Sequence, residues 1–150
     1  MNETTEDQGP VVEVRRARIE EIRPLAAEFD REHRREFGSP AEAPVPPGGV
    51  FWLAVDADER VPLGYAAGVL RPTGCTLGPV FTRAAARRRG VGEALLNSIQ
   101  QWAEDTRVPV LEVSVAASNE EGQAFLASLG YEPRRLLMTR RTGPDRPNRS

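Results

Sequence analysis

Arg87-Arg88-Arg89-Gly90-Val91-Gly92 lies between an apolar, strand-like segment at 77–82 and an amphipathic helix. In that helix Val91, Leu95, Ile99 and Trp102 recur every three or four positions, which puts them on one face. Two glycines at the mouth of a helix let the backbone turn tightly and approach a ligand closely. The N–H groups of a first helical turn have no partner inside the helix, and the helix dipole there favours an anion. Three arginines on the same turn add forked donors suited to phosphate. Taken alone, the run also reads as an arginine-rich glycine turn ahead of a surface helix.

The rest of the chain is read around that turn. Residues 11–16 alternate as a first strand, with Val12 and Val14 on one face. Ile22, Leu25, Ala26 and Phe29 give helical spacing over 19–37, where Pro24 is tolerable only near the first turn. Four prolines and two glycines make 39–49 a loop. Strands are expected at 51–55, 61–70 and 75–82, the first two as an antiparallel hairpin, and β-branched residues mark another at 110–115. Asn119 caps a helix through Leu129, Gly130 ends it, and 131–140 returns as a strand. The polar stretches 1–9 and 141–150 read as disordered tails around a domain at 10–140.

Composition narrows the class. A chain of 150 residues is one domain with a substantial core. It has no apolar run of membrane-spanning length and no signal-peptide pattern, and Cys75 is its single cysteine, which suits a reducing cytoplasm. All 20 basic residues are arginine, a bias that points to a GC-rich bacterial genome. The net charge of −2 argues against general nucleic-acid binding. The basic cluster Arg83, Arg87, Arg88 and Arg89 is also short and not interleaved with aromatic residues.

The glycine turn fits Arg/Gln-x-x-Gly-x-Gly/Ala, and the chain resembles the GNAT family of N-acetyltransferases. The resemblance extends over 11–140. Val80-Phe81-Thr82 lies where family members bind the pantetheine arm. The segment 111–119 looks like the family's fifth strand and its asparagine, Asn119, and Leu129-Gly130-Tyr131 is similar to its Leu-Gly-Phe/Tyr ending. The resemblance implies an α/β fold with a mixed, mostly antiparallel central sheet flanked by helices. It implies acetyl-CoA as acyl donor, held by Val80, Phe81, Thr82, Arg87, Arg88, Arg89, Gly90, Val91, Gly92 and Asn119, with no metal. Backbone N–H groups at Phe81 and Thr82 are expected to polarise the acyl carbonyl.

Two positions depart from the family pattern. The tyrosine that many members use as acid toward the thiolate is replaced by Leu126, and a strand position that carries a glutamate base in some members is Thr76. Glu112 is the nearest carboxylate candidate in the sequence, and it also reads as a solvent-facing strand residue. Cys75 reads as a small buried hydrophobe, His33 as a packing or surface residue, and Tyr131 as a packing position. The expected activity is direct acetyl transfer in a ternary complex to a primary amine, small molecule or peptide. The alternative is a noncatalytic acyl-CoA-binding or regulatory module. Glu28, Asp30, Glu32 and Glu36 fall in the acceptor region, interleaved with Arg31, Arg34 and Arg35. No membrane partner is expected, the family admits a homodimer, and no residue decides it.

Overall fold

The hairpin at the centre of the chain is apolar on both faces, with Phe51 to Val55 on one strand and Leu63 and Tyr65 to Ala67 on the other all buried. A sheet built on such strands needs a cover on each side. The computed structural model describes residues 11–38, 43–140 and 142–143. The chain forms two compact units that divide between Ser114 and Val115. The first contains β1 (Val12–Ala17), α1 (Ile19–Phe37), β2 (Val50–Asp56), β3 (Pro62–Arg71), β4 (Gly74–Thr82), α2 (Val91–Asp105) and β5 (Leu111–Val113). Its sheet runs in the order β1-β2-β3-β4-β5; the first four strands are antiparallel neighbours and β5 lies parallel to β4.

Alternate residues of the central strands divide between the two helices. Phe51, Leu53, Val55, Tyr65, Ala67 and Phe81 form one core with Ile22, Leu25 and Ala26 of α1. Trp52 on the opposite face meets Trp102 of α2 edge-on, ring centroids 5.2 Å apart, and α2 buries Val91, Leu95, Leu96, Ile99 and Ala103. Small residues let the strands close. A Cβ on Gly64 would run into the Phe81 carbonyl oxygen and lie 3.2 Å from Val91 Cγ1. The β2–β3 turn is held by the buried Asp56, whose Oδ1 accepts from the N–H groups of Asp58 (2.8 Å) and Glu59 (3.0 Å).

α1 occupies the expected 19–37, closed by Gly38 in the left-handed region at φ 75°. Its start uses Glu21, whose carboxylate accepts the Arg18 N–H at 2.9 Å and pairs with the Arg15 guanidinium at 2.7 Å. Pro24 stands past the first turn, contrary to expectation, and it is exposed. The bond it withholds is therefore on the solvent side.

The second unit holds α3 (Glu120–Ser128), capped by Asn119. The strand expected at 131–140 does not form. Leu136, Leu137 and Met138 are 82%, 93% and 82% exposed there. A strand exists only as half of a ladder, and local apolar pattern supplies no partner. The strand expected at 110–115 shrinks to Leu111–Val113 for the same reason, because β4 pairs with those three residues alone. The expected tails at 1–9 and 141–150 lie outside the described residues, apart from 142 and 143. Among the described residues no helix is long and apolar enough to cross a membrane.

Two outcomes are expected from this packing. Gly64→Ala should destabilise the protein by about 1–3 kcal/mol in chemical denaturation, because the new methyl meets backbone rather than a movable side chain. The Arg15 and Arg18 hydrogen bonds hold the Glu21 carboxyl well below its usual value, at about 2. A depressed carboxyl stabilises the fold above its unfolded pKa and loses that contribution as pH falls through the folded one. Glu21→Gln should therefore lower stability at neutral pH, with the deficit shrinking from about pH 4.5 down to about 2.

Candidate active site

The β3–β4 ladder decides which backbone groups of β4 are available. The Arg83 N–H donates to the Leu63 carbonyl at 2.9 Å, one step beyond the Gly64↔Thr82 and Tyr65↔Phe81 register. Alternate pairs of an antiparallel ladder exchange both bonds, so Tyr65↔Phe81 is a bonded pair. The N–H and C=O groups of Val80 and Thr82 consequently face away from β3. The expectation of a free N–H at Phe81 is corrected here: that group faces Tyr65, and the ring is buried under α1. What Val80-Phe81-Thr82 offers a ligand is the outward backbone of its first and third residues.

On the outward side β5 pairs only with Cys75, Thr76 and Leu77. Between Ala66 and Gly68 of β3 the partner on β4 steps from Val80 to Leu77, so Gly78-Pro79 carries one residue too many. Such a bulge bends the strand that contains it and terminates pairing. Among the described strands none pairs with the outward edge of Val80–Thr82. That edge is able to take an extended chain as an added strand.

Beyond Thr82 the chain makes one 3₁₀ turn, Ala84–Ala86, pinned by the buried Ala86, and then reaches the arginines. Arg88 (φ 68°) and Gly90 (φ 76°) are left-handed, and Gly90 is the N-cap of α2. A Cβ on Gly90 would meet nothing within 4 Å, so conformation rather than space calls for glycine. Glycine brings no capping side chain, which leaves the N–H groups of Val91, Gly92 and Glu93 without an intrahelical partner. Val91 anchors this turn in the core, while Arg88, Arg89 and Gly90 are exposed. The arrangement fits an anion bound by backbone amides with arginines at its rim.

The sequence did not indicate that two of the local arginines are already engaged. Arg83 Nε lies 3.1 Å from Glu28 Oε1. Arg87 Nη2 lies 2.6 Å from Glu32 Oε1, its Nε donates to the Thr82 carbonyl at 2.9 Å, and its Cζ sits 5.9 Å from the Phe81 ring centroid. Asp30 pairs with Arg34 at 3.0 Å. Three of the four carboxylates expected near an acceptor thus have arginine partners. The matching four-residue spacings, Glu28/Glu32 on α1 and Arg83/Arg87 on the connection, were the available signal.

The titratable candidates separate by environment. Thr76 and Glu112 are direct partners across β4 and β5, so the two positions considered for a base are neighbours, on the face opposite Cys75 and Leu77. Burial pushes the Cys75 thiol up, which keeps it neutral. Tyr65 is fully buried, donates its hydroxyl to the Pro44 carbonyl at 2.9 Å, and has its pKa raised, first by burial and then by the Asp30 charge. His33 packs between Phe29 and Phe37.

In the second unit Asn119 Oδ1 accepts the Gly122 N–H at 2.9 Å, and Gln123 Nε2 donates to the Ala117 carbonyl at 2.9 Å. A Cβ on Gly122 would come within 2.6 Å of Asn119 Nδ2. Asn119 therefore has a capping role of its own. Leu126 is partly buried, its carbonyl accepts the Tyr131 N–H at 3.1 Å, and burial raises the Tyr131 pKa. Among the described residues no group of three or more His, Cys, Asp or Glu could hold a metal.

Comparison with known proteins gives a consistent family. Residues 15–131 match the model of the acetyltransferase (GNAT) family. No curated protein matches the sequence. An integron cassette protein from the mobile metagenome of Vibrio cholerae superposes with TM-score 0.67 at 20% identity, covering 91% of this chain and 95% of its own. A tetramutant of the BH1408 protein from Bacillus halodurans gives 0.69 at 18% identity over 87% and 99%. The enzyme AAC(6')-Iy, in complex with the bisubstrate analogue CoA-S-monomethyl-acetylneamine, gives 0.63 at 16% identity over 89% and 99%. These likenesses show a shared fold.

Replacing Gly90 tests the turn itself. Gly90→Ala should cost about 1–2 kcal/mol in denaturant unfolding, the penalty of a side chain in the left-handed region. Space for the methyl is already present, so the loss should be no larger.

Proposed function

The chain belongs to the GNAT acetyltransferase family, and on that premise we propose that it is an acetyl-CoA-dependent N-acetyltransferase using direct transfer to a primary amine. The observation that carries this reading is the outward edge of β4, which no described strand pairs with, leading within one turn into the glycine-capped start of α2. The edge suits the amide groups of a pantetheine arm, and the free amides of Val91, Gly92 and Glu93 suit a pyrophosphate. Arg88 and Arg89 would add charge at its rim. The neighbour AAC(6')-Iy was captured with a CoA-based bisubstrate analogue, which supports the same donor class here.

Binding the remote nucleotide end positions the reacting thioester beside the strand. The outward N–H of Thr82 or Val80 is the donor available to a developing oxyanion. The amine nitrogen attacks the acetyl carbon, the C–S bond breaks, and the sulfur leaves as thiolate. The proton lost by nitrogen passes through water to solvent, and the thiolate is protonated from the same source. Leu126 provides no acid, and the buried, raised Tyr65 hydroxyl is already donated to Pro44. General acid–base catalysis typically contributes about 10²- to 10⁴-fold, so transfer by positioning alone is slower but not abolished. A neutral, buried Cys75 favours direct transfer over an acyl-cysteine intermediate. The acceptor in this reading is a small-molecule or peptide amine and the setting is the bacterial cytoplasm, with no nucleic-acid or membrane partner. A homodimer is compatible with it.

Thermal unfolding with and without acetyl-CoA tests the donor site. Ligand at about a hundred times its Kd should add roughly 2.7 kcal/mol of stability, and the double substitution Gly90→Asp/Gly92→Asp should remove the shift. No shift at millimolar ligand would overturn the proposal. Where binding is found, thiol release with a panel of primary amines separates an acetyltransferase from a noncatalytic acyl-CoA-binding module. Cys75→Ser should retain nearly full activity; a dead but folded variant would show that an acyl-cysteine forms.

A further inference from the structure

We infer that Glu32 is the internal counter-anion of the donor site: it holds Arg87 until the donor's pyrophosphate takes that arginine from it. The inference rests on the donor reading above and adds to it a residue of α1 that sets donor affinity.

Arg87 is the arginine whose side chain lies against the β4 edge of the proposed donor site and whose backbone leads into the α2 turn. Its Nε covers the Thr82 carbonyl, one of the outward backbone groups of the β4 edge. Its backbone is three residues before the Gly90 cap, so the guanidinium at the end of a long flexible side chain has the first turn of α2 within reach. In the structure that guanidinium is turned instead toward α1, where Glu32 Oε1 accepts from Nη2 at 2.6 Å.

The pair is easily exchanged. The Arg87 side chain is 47% exposed and the Glu32 side chain 24%, so solvent reaches both partners. Exposed pairs of this kind are weak, because solvent screens them and side-chain entropy opposes them. A diphosphate offers more charge and two or more oxygens in the geometry a guanidinium fork prefers. The neighbouring Arg83–Glu28 pair differs in one respect. The Arg83 backbone is fixed in the β3–β4 ladder and its Nη1 reaches the Pro62 carbonyl at 3.4 Å, so it remains with the sheet while Arg87 moves. Transfer of Arg87 to the donor uncovers the Thr82 carbonyl for an N–H of the arriving chain, and it also uncovers the Glu32 carboxylate. Donor binding and the exposure of an anion on α1 are thereby linked.

The sign of one substitution tests this. Glu32→Gln removes the competitor for Arg87, so coenzyme A measured by titration calorimetry at low salt should bind roughly two- to fivefold tighter, the range a weak surface pair converts to. Arg87→Met should bind it about tenfold more weakly. In the Arg87→Met background Glu32→Gln should change nothing, because its effect acts through Arg87. Loss of a bracing contact cannot tighten binding, so unchanged or weaker binding by Glu32→Gln overturns the inference. Equal tightening with and without Arg87 overturns it too, since that would be general charge repulsion. Failure of the wild-type protein to bind coenzyme A at all would instead overturn the donor reading on which it rests.

Discussion

The ladder between β3 and β4 is the interaction on which the site depends. Its alternation commits Phe81 to the sheet and turns the backbone of Val80 and Thr82 outward. It closes only because Gly64 lets the Phe81 carbonyl approach where a methyl would not fit. One residue of slip along β4 would exchange the two sets of groups, presenting Phe81 to the outer edge and driving its ring out of the α1 core. Register, core packing and the outward edge of β4 are therefore a single constraint.

The bulge at Gly78-Pro79 leaves that edge open. Up to Leu77, β4 has neighbours on both sides; beyond it, among the described strands, β3 alone. A continuous parallel pairing with β5 would have satisfied the outward groups internally. The early end of β5 leaves hydrogen-bonding capacity next to a helix N-terminus, and the two features suit opposite ends of one long ligand, amides at one and phosphate at the other. The 3₁₀ turn between them, with Ala86 buried and Val91 under Gly64, ties the glycine-capped turn to the same core that holds the edge.

Electrostatics around the turn is less uniform than its three consecutive arginines imply. α1 brings Glu28 and Glu32 against Arg83 and Arg87, leaving Arg88 and Arg89 as the exposed charges beside the cap. The same pairing removes the simple picture of an acidic helix face that attracts cationic acceptors. In the structure its carboxylates at 28, 30 and 32 are matched by arginines before any substrate arrives.

The sequence by itself determined the elements whose cause is local. Helical spacing defined α1 at 19–37, glycines at 90 and 92 marked the start of α2, apolar runs on either side of a turn marked the central hairpin, and Asn119 announced its cap. Burial of Cys75 and the packing of His33 were also legible, since each follows from the face of its own element. Tertiary structure alone decided whatever needs a partner. The segment 131–140 reads as a strand, yet no ladder forms there, and β5 keeps only the three residues that β4 can meet. Which backbone groups of Val80, Phe81 and Thr82 point outward follows from register, a relation between strands that periodicity within one strand does not contain. The Thr76–Glu112 adjacency and the Arg87–Glu32 contact join residues 36 and 55 positions apart. Short-range patterns specify faces and ends; contacts of that span exist only once the sheet has closed and α1 has packed on it.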